Sequence, residues 1–282
     1  MLQAPQRTGL SGPTLIRLLT RLTDAEVQQS RQSLSDHLSQ WLGWTDAIAL
    51  SAALNTAPPV IAPGARMFSS AEERECVRVR TTLADAIASD TAATAAKRVA
   101  PARAPAKKLA AVLAEDAFYY SSFRQRYLSL QHTMETSIGN LRSRLRGMVA
   151  ARNGEWTRLA VVDAIMDRAL LPKERALLGA IPKLLQAHFD RLRKAEEAAL
   201  AQAAEQALAE PGAPADATAE VPGDTQAPAV DAAQAGTSPP APAITAGAWL
   251  DTFRADMRAV LLAELDVRLQ PVEGLLAALR TS

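Results

Sequence analysis

Nine apolar side chains between Tyr120 and Met148 recur at steps of 3, 4, 3, 4, 4, 3, 4 and 3 residues. They are Tyr120, Phe123, Tyr127, Leu130, Met134, Ile138, Leu141, Leu145 and Met148. An α-helix turns once in ~3.6 residues, so this run lies on one stripe of a long helix. A strand would scatter the same residues over both of its faces. The seam is coiled-coil-like, with one four-residue irregularity at Met134–Ile138. A helix with so narrow an apolar stripe must bury it against other helices. The seam therefore predicts an all-α fold, a helical bundle built on one coiled-coil-like long helix. A homo-oligomer would pack two copies through the same surface.

The rest of the chain agrees. Alanine, leucine, glutamate, glutamine and arginine dominate, and β-branched alternation is scarce. Pro13 follows the cap candidate Ser11 and opens a short helix carrying Leu15, Ile16, Leu18, Leu19 and Leu22. Thr23 with Glu26, and Ser69 with Glu72 (or Ser70 with Glu73), have the spacing of capping boxes. Between them Leu34, Leu38, Trp41, Leu42, Ile48 and Ala52 fall at helical spacing. Gly43 is expected to bend that helix without ending it. After Ser69, Cys76, Val79, Leu83 and Ile87 share a stripe. Asn153-Gly154 should end the long helix. A helix through Trp156, Leu159, Val162, Ile165 and Met166 follows, Pro172 should start the next, and Pro182 should kink or restart it. Leu185, His188, Phe189 and Leu192 continue that stripe.

Composition divides these helices into regions. Residues 1–12 read as a flexible tail, 13–97 as an N-terminal helical region, and 98–110 as a basic Ala/Pro linker. Residues 111–210 form the main bundle region. Residues 211–246 hold seven prolines and twelve alanines with no aromatic and no basic residue, the composition of a disordered acidic linker. Residues 247–282 read as an amphipathic C-terminal helix. Its broad face carries Leu250, Phe253, Met257, Val260, Leu261, Leu265, Leu269, Val272, Leu276 and Leu279. Pro271 should kink it or begin a new turn.

No reaction chemistry is legible. Ser35, Asp36 and His37 stand side by side, but consecutive residues on a helix fan out by ~100° each and do not meet. No nucleophile elbow and no phosphate-binding glycine loop occurs. His37, His132 and His188 show no ligand spacing, and Asp163 and Asp167, four apart, have no histidine near them in sequence. Cys76 sits on an apolar stripe and reads as a small core residue. The expectation is a protein with no catalytic residue, no metal and no cofactor. One cysteine fits a reducing compartment. No signal peptide and no apolar run of membrane-spanning length is present, so a cytoplasmic location is expected.

Two interaction readings remain. The C-terminal helix on its tether can dock on its own bundle or on a partner, with Trp249, Phe253, Met257, Leu261 and Leu265 as anchors. Trp41 and Trp44, placed on one helix about 60° apart, would border a second buried or docking surface. Charge supplies the alternative. Arg74 to Arg158 contains fifteen lysines and arginines against seven acidic residues, in a chain whose formal net charge is only +1. Arg98, Arg103, Lys107 and Lys108 in the basic linker, with Arg142 and Arg146 on the long helix, could contact nucleic-acid phosphates. The acidic stretch from Glu210 to Asp251 could equally fold back on them.

Four strings carry a resemblance. "MLQAPQRTGLSGPTLIRLLTRLTD", "SRQSLSDHLSQWLGWTDAIALSAALN", "EDAFYYSSFRQRYLSLQHTMETSIGNLRSRLRGMVA" and "LAVVDAIMDRAL" together resemble a bacterial family encoded beside proteins similar to flagellar stators (MotA/MotB-type). That set resembles the type III Zorya antiphage defence systems, in which two cytosolic accessory proteins accompany a membrane motor pair. The resemblance implies an accessory or effector role. The implied partners are the stator-like motor complex and a second cytosolic subunit. It supplies no catalytic residues.

Overall fold

The computed structural model describes residues 13–23, 32–55, 68–96, 107–152, 154–209 and 247–281. The expected tail, the linker at 211–246 and Glu26 of the Thr23 capping box lie outside them. Among the described residues the fold is all-α, in eight helices. They are α1 (Thr14–Thr23), α2 (Leu34–Trp41), α3 (Trp44–Asn55), α4 (Ser70–Ala96), α5 (Lys107–Ala150), α6 (Gly154–Leu178), α7 (Ile181–Ala209) and α8 (Ala248–Arg280). α5 thus begins inside the stretch expected as linker.

The architecture is up-down-up-down. α4 and α5 are antiparallel, with Glu75 beside Arg144. α6 returns along α5, pairing Asp163 with Arg146 and, further on, Arg175 with Glu135. α7 continues in the same direction, bringing Phe189 to Phe123. α8 then runs antiparallel to α7 and parallel to α5. Its Phe253 meets Phe123, its Glu264 meets Tyr127, and the Leu279 carbonyl meets Arg152. α1 lies on α7 and α8, and α3 lies on α6.

Both long stripes are buried as the periodicity requires. All nine seam residues of α5 and all ten expected face residues of α8 are inside, and Cys76 is buried with them. At one end Tyr120, Phe123, Phe189, Trp249 and Phe253 form an aromatic cluster, with Phe253 edge-on to Phe189 at 5.0 Å and to Phe123 at 5.2 Å between ring centroids. The Tyr120 hydroxyl donates to the Pro182 carbonyl, and burial pushes its pKa up to about 12, so it remains a donor.

The middle of the bundle is polar. Glu264 on α8 is 0% exposed. It accepts from the Tyr127 hydroxyl at 2.7 Å, from Gln131 Nε2 at 3.0 Å and from Arg268 Nε at 2.9 Å. Gln131 also donates to the Leu178 carbonyl at 3.1 Å, and Arg268 reaches Glu174 on α6 at 2.9 Å. Burial pushes the Glu174 carboxyl above its ordinary value. One network therefore joins α5, α6 and α8 and fixes their register, because a slip along any helix would strand a buried charge.

Helix ends follow local chemistry. Ser33 caps α2 in a capping box, and Ser69 caps α4, its Oγ accepting from Ala71 N at 3.2 Å while its own N–H donates to Glu72. The Asp36 carboxylate accepts from Ser33 N at 2.9 Å and Oγ at 2.8 Å; Glu72 accepts from Ser69 at the same two distances. Hydrogen bonds from the serine side chain and backbone hold both carboxyls below their ordinary values. A carboxyl lowered in the fold contributes stability that is present above its unfolded pKa and is lost as pH falls through the folded value. Amide protection in the first turn of α4 should therefore decline as pH drops below about 4.5. Hydrogen exchange should show that decline, and Ser69→Ala should remove both the protection and its pH dependence.

Two expected boundaries move. Pro172 does not start a helix: α6 runs through it, and the break falls at Gly179–Ala180. There a Cβ on residue 179 would lie 2.7 Å from the Arg175 carbonyl oxygen, closer than carbon tolerates. Pro182 then occupies the first turn of α7, where its missing N–H is no loss. Gly43 does more than bend its helix. α2 ends at Trp41, Leu42 turns extended while its N–H still reaches the Leu38 carbonyl, and α3 starts at Trp44. Pro271, by contrast, lies inside an uninterrupted α8.

Candidate functional site

The break at Gly43 changes what the two tryptophans do. They do not share one helix or border one buried surface. Trp41 is half-buried at the end of α2, with its ring 5.7 Å from that of His37. Trp44 is the first residue of α3 and is 81% exposed. Ile48, one turn on, is 53% exposed, and Leu34 on α2 is 73% exposed. Trp44 and Ile48 are four apart, so they stand together on one face of α3.

α3 has an unusual composition for a surface helix. Its twelve residues, WTDAIALSAALN, contain one charged side chain, Asp46, and apolar residues on every side. A helix apolar all round is ordinarily buried all round. Among the described residues, this one is covered along one side only. Asp46, Ala49, Leu50 and Ala53 are partly buried, while Trp44, Ile48, Ser51 and Ala52 face outward. Asp46 anchors the covered side through an ion pair with Arg168 of α6 at 3.1 Å. The apparent Ser-Asp-His cluster next to it is a cap: Asp36 is bound to Ser33.

The other expected contact residues are placed differently. Trp249, Phe253, Met257, Leu261 and Leu265 are all buried in the chain's own core. The C-terminal helix thus packs on its own bundle, and these five offer no surface to a partner. The Tyr120–Met148 seam is covered by the chain's own helices as well, which leaves no face of it for a second copy. Arg142 and Arg146 are not a free basic strip. Arg142 meets Asp163 Oδ1 and Asp167 Oδ1, and Arg146 meets Asp163 Oδ2 and Asp167 Oδ2, each at 2.6 Å. Two guanidiniums and two carboxylates cancel, each guanidinium bridging both carboxylates through charge-assisted hydrogen bonds. The sequence carried a signal for this in its matched spacing, Arg-x-x-x-Arg on one helix and Asp-x-x-x-Asp on the next. Arg98 and Arg103 lie outside the described residues, and Lys107 and Lys108 are described only in their backbone.

A family model for "Protein of unknown function (DUF3348)" matches residues 1–218 and 223–281. The chain belongs to DUF3348. No curated protein and no solved structure matches it. In this DUF3348 member, no helix among the described residues is long and apolar enough to cross a membrane. The outward face of α3 is therefore an apolar surface on a helical body, beside a long, internally neutralised stretch of α5 and α6.

Proposed function

We propose that this DUF3348 protein is a non-enzymatic helical adaptor of a stator-like, Zorya-type antiphage complex, acting in the cytoplasm through protein–protein contacts. The partner class rests on the sequence resemblance. The observation that carries the mode of action is the half-covered α3, an apolar helix with Trp44 and Ile48 turned outward. Tryptophan is enriched among the few residues that dominate interface energies, and neighbouring apolar contacts exclude water around it. The rigid bundle positions that surface, and Ser33, Gly43 and the Asp46–Arg168 pair orient it.

Tagged full-length protein, co-expressed with the motor pair, tests the reading. Motor subunits should co-purify with it from detergent-solubilised membranes. A clean preparation lacking both would remove the adaptor reading. The nucleic-acid alternative loses two of its six expected contacts, Arg142 and Arg146, to Asp163 and Asp167.

A further inference from the structure

A cleft of about 690 Å³ opens between the start of α4 and the end of α5. It is lined by Arg74, Arg78 and Arg144, all exposed, and by Gly147 and the buried Met148. Specific small-molecule sites are commonly ~300–1,000 Å³, apolar below, with a few polar groups converging above. The remaining lining carboxylates are Glu72 and Glu75. Glu72 is held in the α4 cap by Ser69. Glu75 is bound to Arg78 and stands 3.6 Å from Arg144, beyond hydrogen-bond range.

Arg74 is the decisive residue. Several other arginines of this protein pair closely with carboxylates. Arg80 reaches Asp266 and Glu273, Arg280 reaches Glu73, and Arg268 reaches Glu264 and Glu174. Among the described residues Arg74 has no hydrogen bond and no ion pair. Two guanidinium forks, those of Arg74 and Arg144, therefore face one cleft with donors to spare. The Gly147 side is equally open. A Cβ at Gly147 would meet nothing within 4 Å, and the same glycine lines a second groove between α5 and α6. Glycine inside a helix is less stable than alanine. No positive φ and no close neighbour requires it here.

We propose that this cleft binds a small phosphate-bearing molecule with a flat body, a mononucleotide being the simplest case. Arg74 and Arg144 hold the phosphates bidentately, and the flat body lies over Gly147 and Met148. This site is separate from the α3 surface, so either can fail without the other.

Calorimetric titration of the full chain with ATP, GTP, inorganic pyrophosphate and a short single-stranded oligonucleotide tests it. A nucleoside triphosphate should bind and raise the melting temperature. Arg74→Ala and Arg144→Ala should each weaken it about tenfold or more. Gly147→Leu should abolish it by filling the cleft beside Gly147, at an unchanged or higher melting temperature. Arg74 is exposed, and unpaired among the described residues, so its alanine variant reads binding even if the leucine variant misfolds. No heat with either nucleotide at millimolar concentration overturns the proposal. So does binding that the Arg74 variant leaves intact, pyrophosphate binding as tight as the nucleotides, or an oligonucleotide binding tighter than both.

Discussion

Arg268→Met should destabilise the protein by about 3–5 kcal/mol, the usual cost of breaking a buried ion pair from one side. The substitution leaves Glu264, which is 0% exposed, as an uncompensated charge among α5, α6 and α8. It also takes the partner from Glu174. In a chain of this size that loss corresponds to a fall in melting temperature of roughly 10 °C. Adding Glu264→Gln should recover more than half of it. The amide oxygen still accepts from the Tyr127 hydroxyl, and the fully buried charge is gone, leaving only the partly exposed Glu174 without its arginine. Thermal melts of the two single variants and the double variant form a cycle that isolates the coupling. Equal and additive losses would mean that the network does not act as one unit.

Phe253→Ala should cost a similar amount, about 3–5 kcal/mol, through a different mechanism. Phe253 is 0% exposed and contacts the rings of Tyr120, Phe123 and Phe189, so its removal opens a cavity shared by α5, α7 and α8. The neighbours are rings held edge to face, which collapse poorly into a void. Phe253→Leu should recover part of the loss, since it restores volume without the ring contacts. Both variants should read as lowered urea midpoints. A near-neutral Phe253→Ala would mean that α8 does not contribute to the core, contrary to its self-docked position. Residues 211–281 cannot then be treated as a detachable arm: cutting at Pro211 removes α8 from the core and should lower the melting temperature sharply.

The two long stripes were fully legible in sequence, because burial along one face imposes a period that survives in the residue order. The faces of α5 and α8 are buried residue for residue as their spacing required. The Ser69–Glu72 cap was legible for the same reason, being a contact within one turn. Contacts between elements were not. Counting arginines from Arg74 to Arg158 summed charge without geometry, and the carboxylates that neutralise Arg142 and Arg146 sit on another helix. Gly43 illustrates a second limit. Glycine tolerates both a bend and a break, and the choice depends on whether Leu42 turns extended, which no local pattern encodes. That choice decided the fate of Trp44. As part of a continuous helix it would join the stripe of Trp41; as the first residue of α3 it faces outward.

We propose that the outward face of α3 is the surface through which this DUF3348 protein meets its partner. Trp44→Glu with Ile48→Glu tests it most directly. Both side chains are exposed, so the variant should melt within a degree or two of the parent. Tagged parent and variant, each co-expressed with the motor pair, are then compared for co-purification of the motor subunits from solubilised membranes. The parent should retain them and the folded variant should lose them. Equal recovery by a variant of unchanged melting temperature would contradict the claim.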